Sequence, residues 1–420
     1  MLVDAWLPRA AARHPDRPAV NALTYAALER LATTGARRLA ARGVGAGDRV
    51  GIALIPGNAF CVALHACLAL GAIAVPVDLR LRARERAAVL AATTTVIDAP
   101  LDDGQQTDVA PVTEHDLSAT AIVVHTSGTS GAPRPIELTY GNWLWSALGS
   151  ATALGLDGAE RWLCTLPLSH VGGLSIVVRS VIAATTAIVH ERFDHHRVLD
   201  ALRDPGGPTI VSLVPTTLTR LLDAGLRDPP ALRWALLGGA PIAPSLLARA
   251  GAAGVAVAPT YGLTEACSQV STLGAPLFCT TVAIAPDGEI LVSGPTVAPA
   301  SGPVLATGDL GRLDAGGALS VIGRKADTIV TGGENVAPAE VEAVLESHPA
   351  VAEAAVHGRP DAQWGEALVA TVVVRAAVDA DELHAHCAAR LAAFKAPKAI
   401  EFADALPRTA SGKLRRAALR

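Results

Sequence analysis

The chain is poor in lysine, in aromatic rings and in paired cysteines. Of its 35 cationic residues only four are lysine (Lys325, Lys395, Lys398 and Lys413), and all four fall in the last hundred positions. The rest are arginine. Aromatic side chains make up 3% of the 420 residues, so the core must be built mostly of Ala, Val and Leu. Six cysteines are scattered without a C-x-x-C pair, which speaks against a zinc site or a disulfide framework and for reduced, buried thiols in a cytoplasmic protein. With a net charge of −4 there is no basic footprint and no nucleic-acid partner is expected. Asp4 and Arg9 come early in an N-terminus that lacks an apolar signal segment. Apolar residues, by contrast, reach 50% against 18% charged, which excludes a disordered chain and supplies a large core.

One apolar run, residues 59–77, is long enough to span a bilayer. Gly71 and Pro76 punctuate it where a buried helix would give way to a strand, so we read it as soluble α/β core and expect no integral membrane segment. Apolar strands without polar interruption (49–54, 72–77, 121–125, 209–214, 234–237) alternate with helical patterns, the signature of mostly parallel sheets covered on both faces. Between about 282 and 322 short alternating strands separated by Gly, Pro and Asp predict a small antiparallel β unit. The expected organisation is α/β throughout. A large domain spans 1–324 and includes that unit; a small C-terminal α/β domain, 325–420, carries all four lysines. A homodimer is compatible with this pattern, which bears no mark of oligomeric state.

The stretch Thr126-Ser127-Gly128-Thr129-Ser130-Gly131-Ala132-Pro133-Arg134 follows a predicted strand. Its hydroxyls and backbone N–H groups can donate to phosphate oxygens, and its glycines let an anion approach the backbone. It fits neither the P-loop nor the dinucleotide-binding pattern, and on its own it describes a plain surface loop equally well.

Further motifs follow in order: Gly238-Gly239-Ala240-Pro241, Tyr261-Gly262-Leu263-Thr264-Glu265, Thr307-Gly308-Asp309, Gly323-Arg324-Lys325-Ala326-Asp327, Gly332-Gly333-Glu334-Asn335 and Ser411-Gly412-Lys413. In this order and spacing the set resembles the adenylate-forming superfamily of acyl- and aryl-CoA ligases, adenylation domains and luciferases, over nearly the whole chain. The resemblance implies a two-step reaction with ATP, Mg²⁺ and CoA. A carboxylate attacks the α-phosphate, and a thiol then displaces AMP. It implies that Thr126, Ser127, Gly128, Thr129, Ser130, Gly131 and Arg134 cradle phosphates. Thr264 would donate to phosphate and Glu265 hold the metal. Gly239, Ala240, Pro241, Tyr261 and Gly262 would line the adenine slot, and Asp309 and Arg324 would hold the ribose. Lys413 would bridge the reacting carboxylate and the α-phosphate. Gly332, Gly333 and Glu334 would serve CoA, and Lys325 and Ala326 would be the pivot of a mobile small domain. His170 would stand by the acyl group, with catalytic as well as binding duties.

Two positions depart from the superfamily pattern. Arg134 replaces the usual lysine of the phosphate loop, and Ala326 replaces an acidic or polar pivot. Within the superfamily, residues 170–180, 261–269 and 276–280 are similar to the ligases that act on o-succinylbenzoate in menaquinone biosynthesis. That substrate is a dicarboxylate, and the resemblance implies donors for its second carboxylate at His170, Ser268, Gln269 and Arg179. Another aryl or fatty acid, a carrier protein in place of CoA, and a regulator without catalysis are the competing readings. Intact Glu265, Asp309, Arg324 and Lys413 speak against the last.

Overall fold

The structure, a computed structural model, describes residues 1–127, 133–408 and 414–419. The chain folds as α/β and divides into two compact units. One comprises Met1–Gly239, Ala253–Thr281 and Val292–Leu305. The other comprises Ala240–Ala252, Val282–Leu291 and Ala306–Arg420.

The first unit holds two large sheets. The nine-stranded sheet runs in the order 275–276, 268–272, 257–263, 234–237, 210–213, 161–164, 186–189, 18–20, 23–24. Its central pairs are parallel, while 257–263, 268–272 and 275–276 turn antiparallel at one edge. The five-stranded sheet orders 95–97, 49–52, 73–76, 120–127 and 133–139, parallel except for the last pair. Parallel strands flanked by helices are buried on both faces, which explains why Ile210–Leu213 shows no polar alternation beyond the single Ser212.

The apolar run at 59–77 resolves as the sequence suggested. The helix Asn58–Leu70 buries nearly its whole circumference, including Phe60, Leu64 and Cys67. Gly71 ends it in the left-handed region (φ +71°), where a side chain would be strained, and the strand Ile73–Pro76 follows. Among the described residues no helix is long and apolar enough to cross a membrane.

The second unit contains a sheet ordered 334–336, 329–331, 365–374, 351–361, with 399–402 parallel to 365–374. The helices Pro338–Glu346 and Ala380–Ala388 contribute Val341, Leu345 and Leu383 to a core shared with Val356 and Leu368. The β unit expected near 282–322 is a four-stranded sheet over 281–324, and its last pair, Val304–Leu313 with Leu319–Arg324, is antiparallel.

Candidate functional site

In the first unit the hydroxyl-rich loop lies between the strands Thr120–Ser127 and Pro133–Thr139. These pair antiparallel up to Ser127 and Pro133, so the loop belongs to a hairpin and does not open a helix as a P-loop does. Thr126 donates to the Arg134 carbonyl at 3.5 Å across the end of this ladder, and the Arg134 side chain is exposed. Gly128, Thr129, Ser130 and Gly131 lie outside the described residues, as does Lys413.

Tyr261 and Gly262 close the strand Val257–Leu263, and Thr264 and Glu265 form the short 3-10 turn Thr264–Ala266. The chain reverses so tightly here that a Cβ on Gly262 would sit 1.6 Å from the Ser268 carbonyl oxygen. Cys267 and Ser268 both take positive φ (50° and 92°), an arrangement costly for non-glycine residues and concentrated at functional turns. The Glu265 backbone carbonyl accepts from Ala298 N–H at 2.8 Å, which fixes the turn. Among the described residues no ion pair engages its carboxylate, and no cluster of three or more His, Cys, Asp or Glu could hold a metal. A single carboxylate suits Mg²⁺, which takes one or two protein oxygens and completes its octahedron with phosphate oxygens and water. Gly239, at φ +80°, follows the strand Trp234–Leu237, and Gly239, Ala240 and Pro241 are exposed.

The residues assigned to the acyl group have three separate sets of partners: Arg80 and Asp78 at His170, Ser175 and Ser146 at Ser268 and Arg179, and Thr272 at Gln269. His170 occupies the N-cap position of the helix Val171–Ala183, and its side chain makes no capping hydrogen bond there. Ser175 and Arg179, four residues apart, share one face of that helix. Ser175 Oγ is 3.4 Å from Ser268 Oγ, and Arg179 donates to Ser146 Oγ at 3.2 Å. Ser146 in turn donates to the Cys267 carbonyl at 2.6 Å, and the Arg179 guanidinium sits over the Trp162 ring. Arg179 is 5% exposed, its Nε has no partner, and among the described residues no carboxylate pairs with it. Burial pulls its pKa down to about 10, with Cys267 pushing it slightly back up. Gln269 belongs elsewhere: it is buried, donates to Thr272 Oγ1 at 2.7 Å, and leaves its Oε1 without a partner.

The sequence reading missed Asp78 and Arg80. They follow the strand Ile73–Pro76, at the carboxyl end of a parallel sheet, the edge where such folds bind ligands. Arg80 grips the Asp78 carboxylate with a fork (Nε–Oδ1 2.8 Å, Nη2–Oδ2 2.6 Å), and its Nη2 lies 3.2 Å from His170 Nε2. Burial alone would raise the Asp78 carboxyl; the hydrogen bonds and charge of Arg80 hold it well below the usual carboxylate range.

In the second unit Asp309 and Arg324 pair across the antiparallel ladder, Nε to Oδ1 at 2.8 Å, with the Asp309 side chain buried. Gly308 N–H donates to Glu289 Oε1 at 2.8 Å, and Glu289 Oε2 receives Lys325 Nζ at 2.8 Å. Lys325 also binds Asp287 at 2.6 Å, and both carboxylates raise its pKa. Lys325 and Ala326 form the 3-10 turn Lys325–Asp327. Gly332 and Gly333, both at positive φ, make the two-residue turn between Ile329–Thr331 and Glu334–Val336, and Glu334 is exposed. Lys395 is held by Glu340 at 2.7 Å, and Lys398 lies 4.6 Å over the Trp364 ring. Arg416, also missed, binds Glu342 through both terminal nitrogens, Nη1 and Nη2, Asp327 through Nε at 3.2 Å and the Val356 carbonyl at 2.8 Å.

The chain as a whole is similar to known proteins. The profile of AMP-binding enzymes matches residues 7–97 and 92–300, and that of the AMP-binding enzyme C-terminal domain matches 340–413. A 2-succinylbenzoate–CoA ligase of Bacillus licheniformis is 38% identical, covering 99% of both chains. The o-succinylbenzoate CoA synthetase of Bacillus subtilis, solved with the acyl-adenylate intermediate OSB-AMP, superposes with a TM-score of 0.91 at 36% identity, covering 100% of this chain and 98% of that one. The same enzyme in complex with ATP and magnesium ion gives 0.90, covering 100% of both chains.

Proposed function

We propose a specific reaction for this chain, which belongs to the AMP-binding enzyme family: it activates o-succinylbenzoate with ATP and transfers the acyl group to CoA, as a 2-succinylbenzoate–CoA ligase of menaquinone biosynthesis. The observation that carries the choice of carboxylate is Arg179. A buried cation without a counter-charge is costly, and the cost falls when an anion arrives. A substrate with a second carboxylate supplies that anion; benzoate or a fatty acid does not. The identity to ligases of this name supports the same choice.

The first step sets an anionic nucleophile against a polyphosphate, so charge neutralisation and alignment are its main demands. The backbone and hydroxyls of Thr126 to Gly131, with Arg134, would hold the β- and γ-phosphates. Arg134 keeps the charge of a lysine but offers a planar fork. Thr264 would donate to phosphate, and Glu265 would hold Mg²⁺, which neutralises phosphate charge when bound. Tyr261, Gly262, Gly239, Ala240 and Pro241 would receive adenine. Asp309, pre-oriented by Arg324, would accept the ribose hydroxyls. Lys413 would meet the charge that develops between the carboxylate and the α-phosphate. His170, Ser268 and Arg179 would orient the acyl group, with Gln269 at a separate wall. For the second step, the segment 325–420 would act as a mobile domain turning at Lys325 and Ala326, and Gly332, Gly333 and Glu334 would meet CoA. Six free thiols and soluble substrates support a cytoplasmic enzyme.

The test is pyrophosphate release over a panel of carboxylates, followed by thioester detection with CoA. o-Succinylbenzoate is expected to exceed benzoate and fatty acids by at least a hundredfold in kcat/KM. Equal rates would refute the substrate assignment, and no release with any carboxylate would refute the reaction.

A further inference from the structure

We propose that Asp78 and Arg80 are positioning residues that set the tautomer of His170. The inference rests on the reading of His170 as an acyl-site residue. Asp78 receives Arg80 at three points, through the backbone N–H (3.0 Å), Nε (2.8 Å) and Nη2 (2.6 Å). The guanidinium is therefore fixed in orientation as well as in place. Its Nη2 then lies 3.2 Å from His170 Nε2, nearer than the Asp78 oxygen, which is 3.4 Å away.

Arginine has donors and no acceptor. A protonated Nε2 would oppose one donor to another at 3.2 Å, so His170 Nε2 is the acceptor and the ring proton resides on Nδ1. Among the described residues nothing engages Nδ1. The neutral ring thus offers one N–H, directed away from Arg80 and available to an anionic oxygen. A carboxylate poised to attack phosphorus, or the acyl oxygen of the adenylate, has that chemistry. The Asp78 carboxylate neutralises the guanidinium enough for the pair to persist at a half-exposed site (side-chain exposure 15% for Asp78, 37% for Arg80 and 43% for His170). The tautomer of a histidine is commonly fixed by the hydrogen bond made at its other nitrogen, and here a guanidinium makes it.

The experiment is ¹⁵N NMR of histidine-labelled full-length protein, with the His170 signals assigned by their loss in His170→Asn. In the wild type Nδ1 should carry the proton and Nε2 should be the unprotonated nitrogen. In Arg80→Met the proton should move to Nε2, where Asp78 can accept it, and the KM for the carboxylate should rise about tenfold while the KM for ATP stays unchanged. Should Arg80→Met not fold, Asp78→Asn, which frees the fork, serves instead and should give a mixture of tautomers. A wild-type ring protonated at Nε2, or a tautomer indifferent to whichever variant folds, overturns the proposal. Unchanged kinetics in His170→Asn would overturn the acyl-site reading of His170 instead, and leaves the tautomer to be decided by NMR alone.

Discussion

Asp309 and Arg324 stand opposite each other in an antiparallel ladder, with the guanidinium Nε 2.8 Å from the buried carboxylate. The pair holds an anionic acceptor in one orientation before any ligand arrives. If that acceptor serves the ribose, Asp309→Asn should raise the KM for ATP at least tenfold, equivalent to about 1.4 kcal/mol, and leave the KM for the carboxylate unchanged. Pyrophosphate release at varied ATP measures both. An unchanged KM for ATP would remove Asp309 from the nucleotide site.

Arg179→Met separates binding from stability. The variant keeps much of the volume packed against Trp162 and removes a buried charge, and such replacements are often neutral or stabilising. The thermal midpoint should therefore hold or rise, while the KM for o-succinylbenzoate rises about ten- to a hundredfold and that for benzoate does not change. A lower midpoint with an unaltered KM would make Arg179 a structural residue.

Lys413→Ala should abolish adenylation, since a lost transition-state charge contact typically costs about 3 kcal/mol or more. Thioester formation from preformed acyl-adenylate should survive. The two half-reactions are followed by pyrophosphate release and by thioester yield. Equal loss of both would give Lys413 a structural role.

Gly262 cannot carry a side chain. A Cβ there would fall 1.6 Å from the Ser268 carbonyl oxygen, a backbone atom that cannot rotate away. Gly262→Ala should therefore displace the turn that carries Thr264 and Glu265, lower the thermal midpoint and reduce adenylation at least a hundredfold. Retention of activity would show that the turn relaxes without consequence.

How much of this was legible in sequence depended on how local the signal is. The helix and strand at 59–77 could be read because Gly71 ends one and Pro76 closes the other within a single apolar run. The strand Trp234–Leu237 was predicted to the residue, because a short apolar run bounded by turn residues determines it locally. Asp78, Arg80, Ser146 and Arg416 were not found. Their partners lie far away in the chain, His170 some 90 residues from Arg80 and Cys267 some 120 from Ser146, and no periodicity links them. The one available signal was position: a charged D-x-R just after a parallel strand. Ser268 and Gln269 looked like a pair because they are neighbours, yet successive strand residues point to opposite faces. The structure accordingly gives Ser268 to Ser175 and Gln269 to Thr272.

His65 and His115 make stability depend on pH. Both are buried around a cavity of about 50 Å³ that they share with Trp6 and Glu29, and the His115 ring stacks on Tyr140 at 4.1 Å. Burial, helped for His65 by the neighbouring His115, pulls each pKa down to about 4 from an ordinary 6.5. Between those values the unfolded chain binds protons that the folded chain refuses, so stability is lost as pH falls from about 6.5 to about 4. Above 6.5 both states are neutral at these positions and the contribution vanishes. Each histidine adds a slope of up to about 1.4 kcal/mol per pH unit. His115→Phe keeps a ring against Tyr140 and removes one titration. Urea unfolding at pH 7, 6 and 5 should show the variant losing less stability on acidification than the wild type, by up to that slope. Identical pH dependence in the two proteins would show that His115 takes up its proton without unfolding.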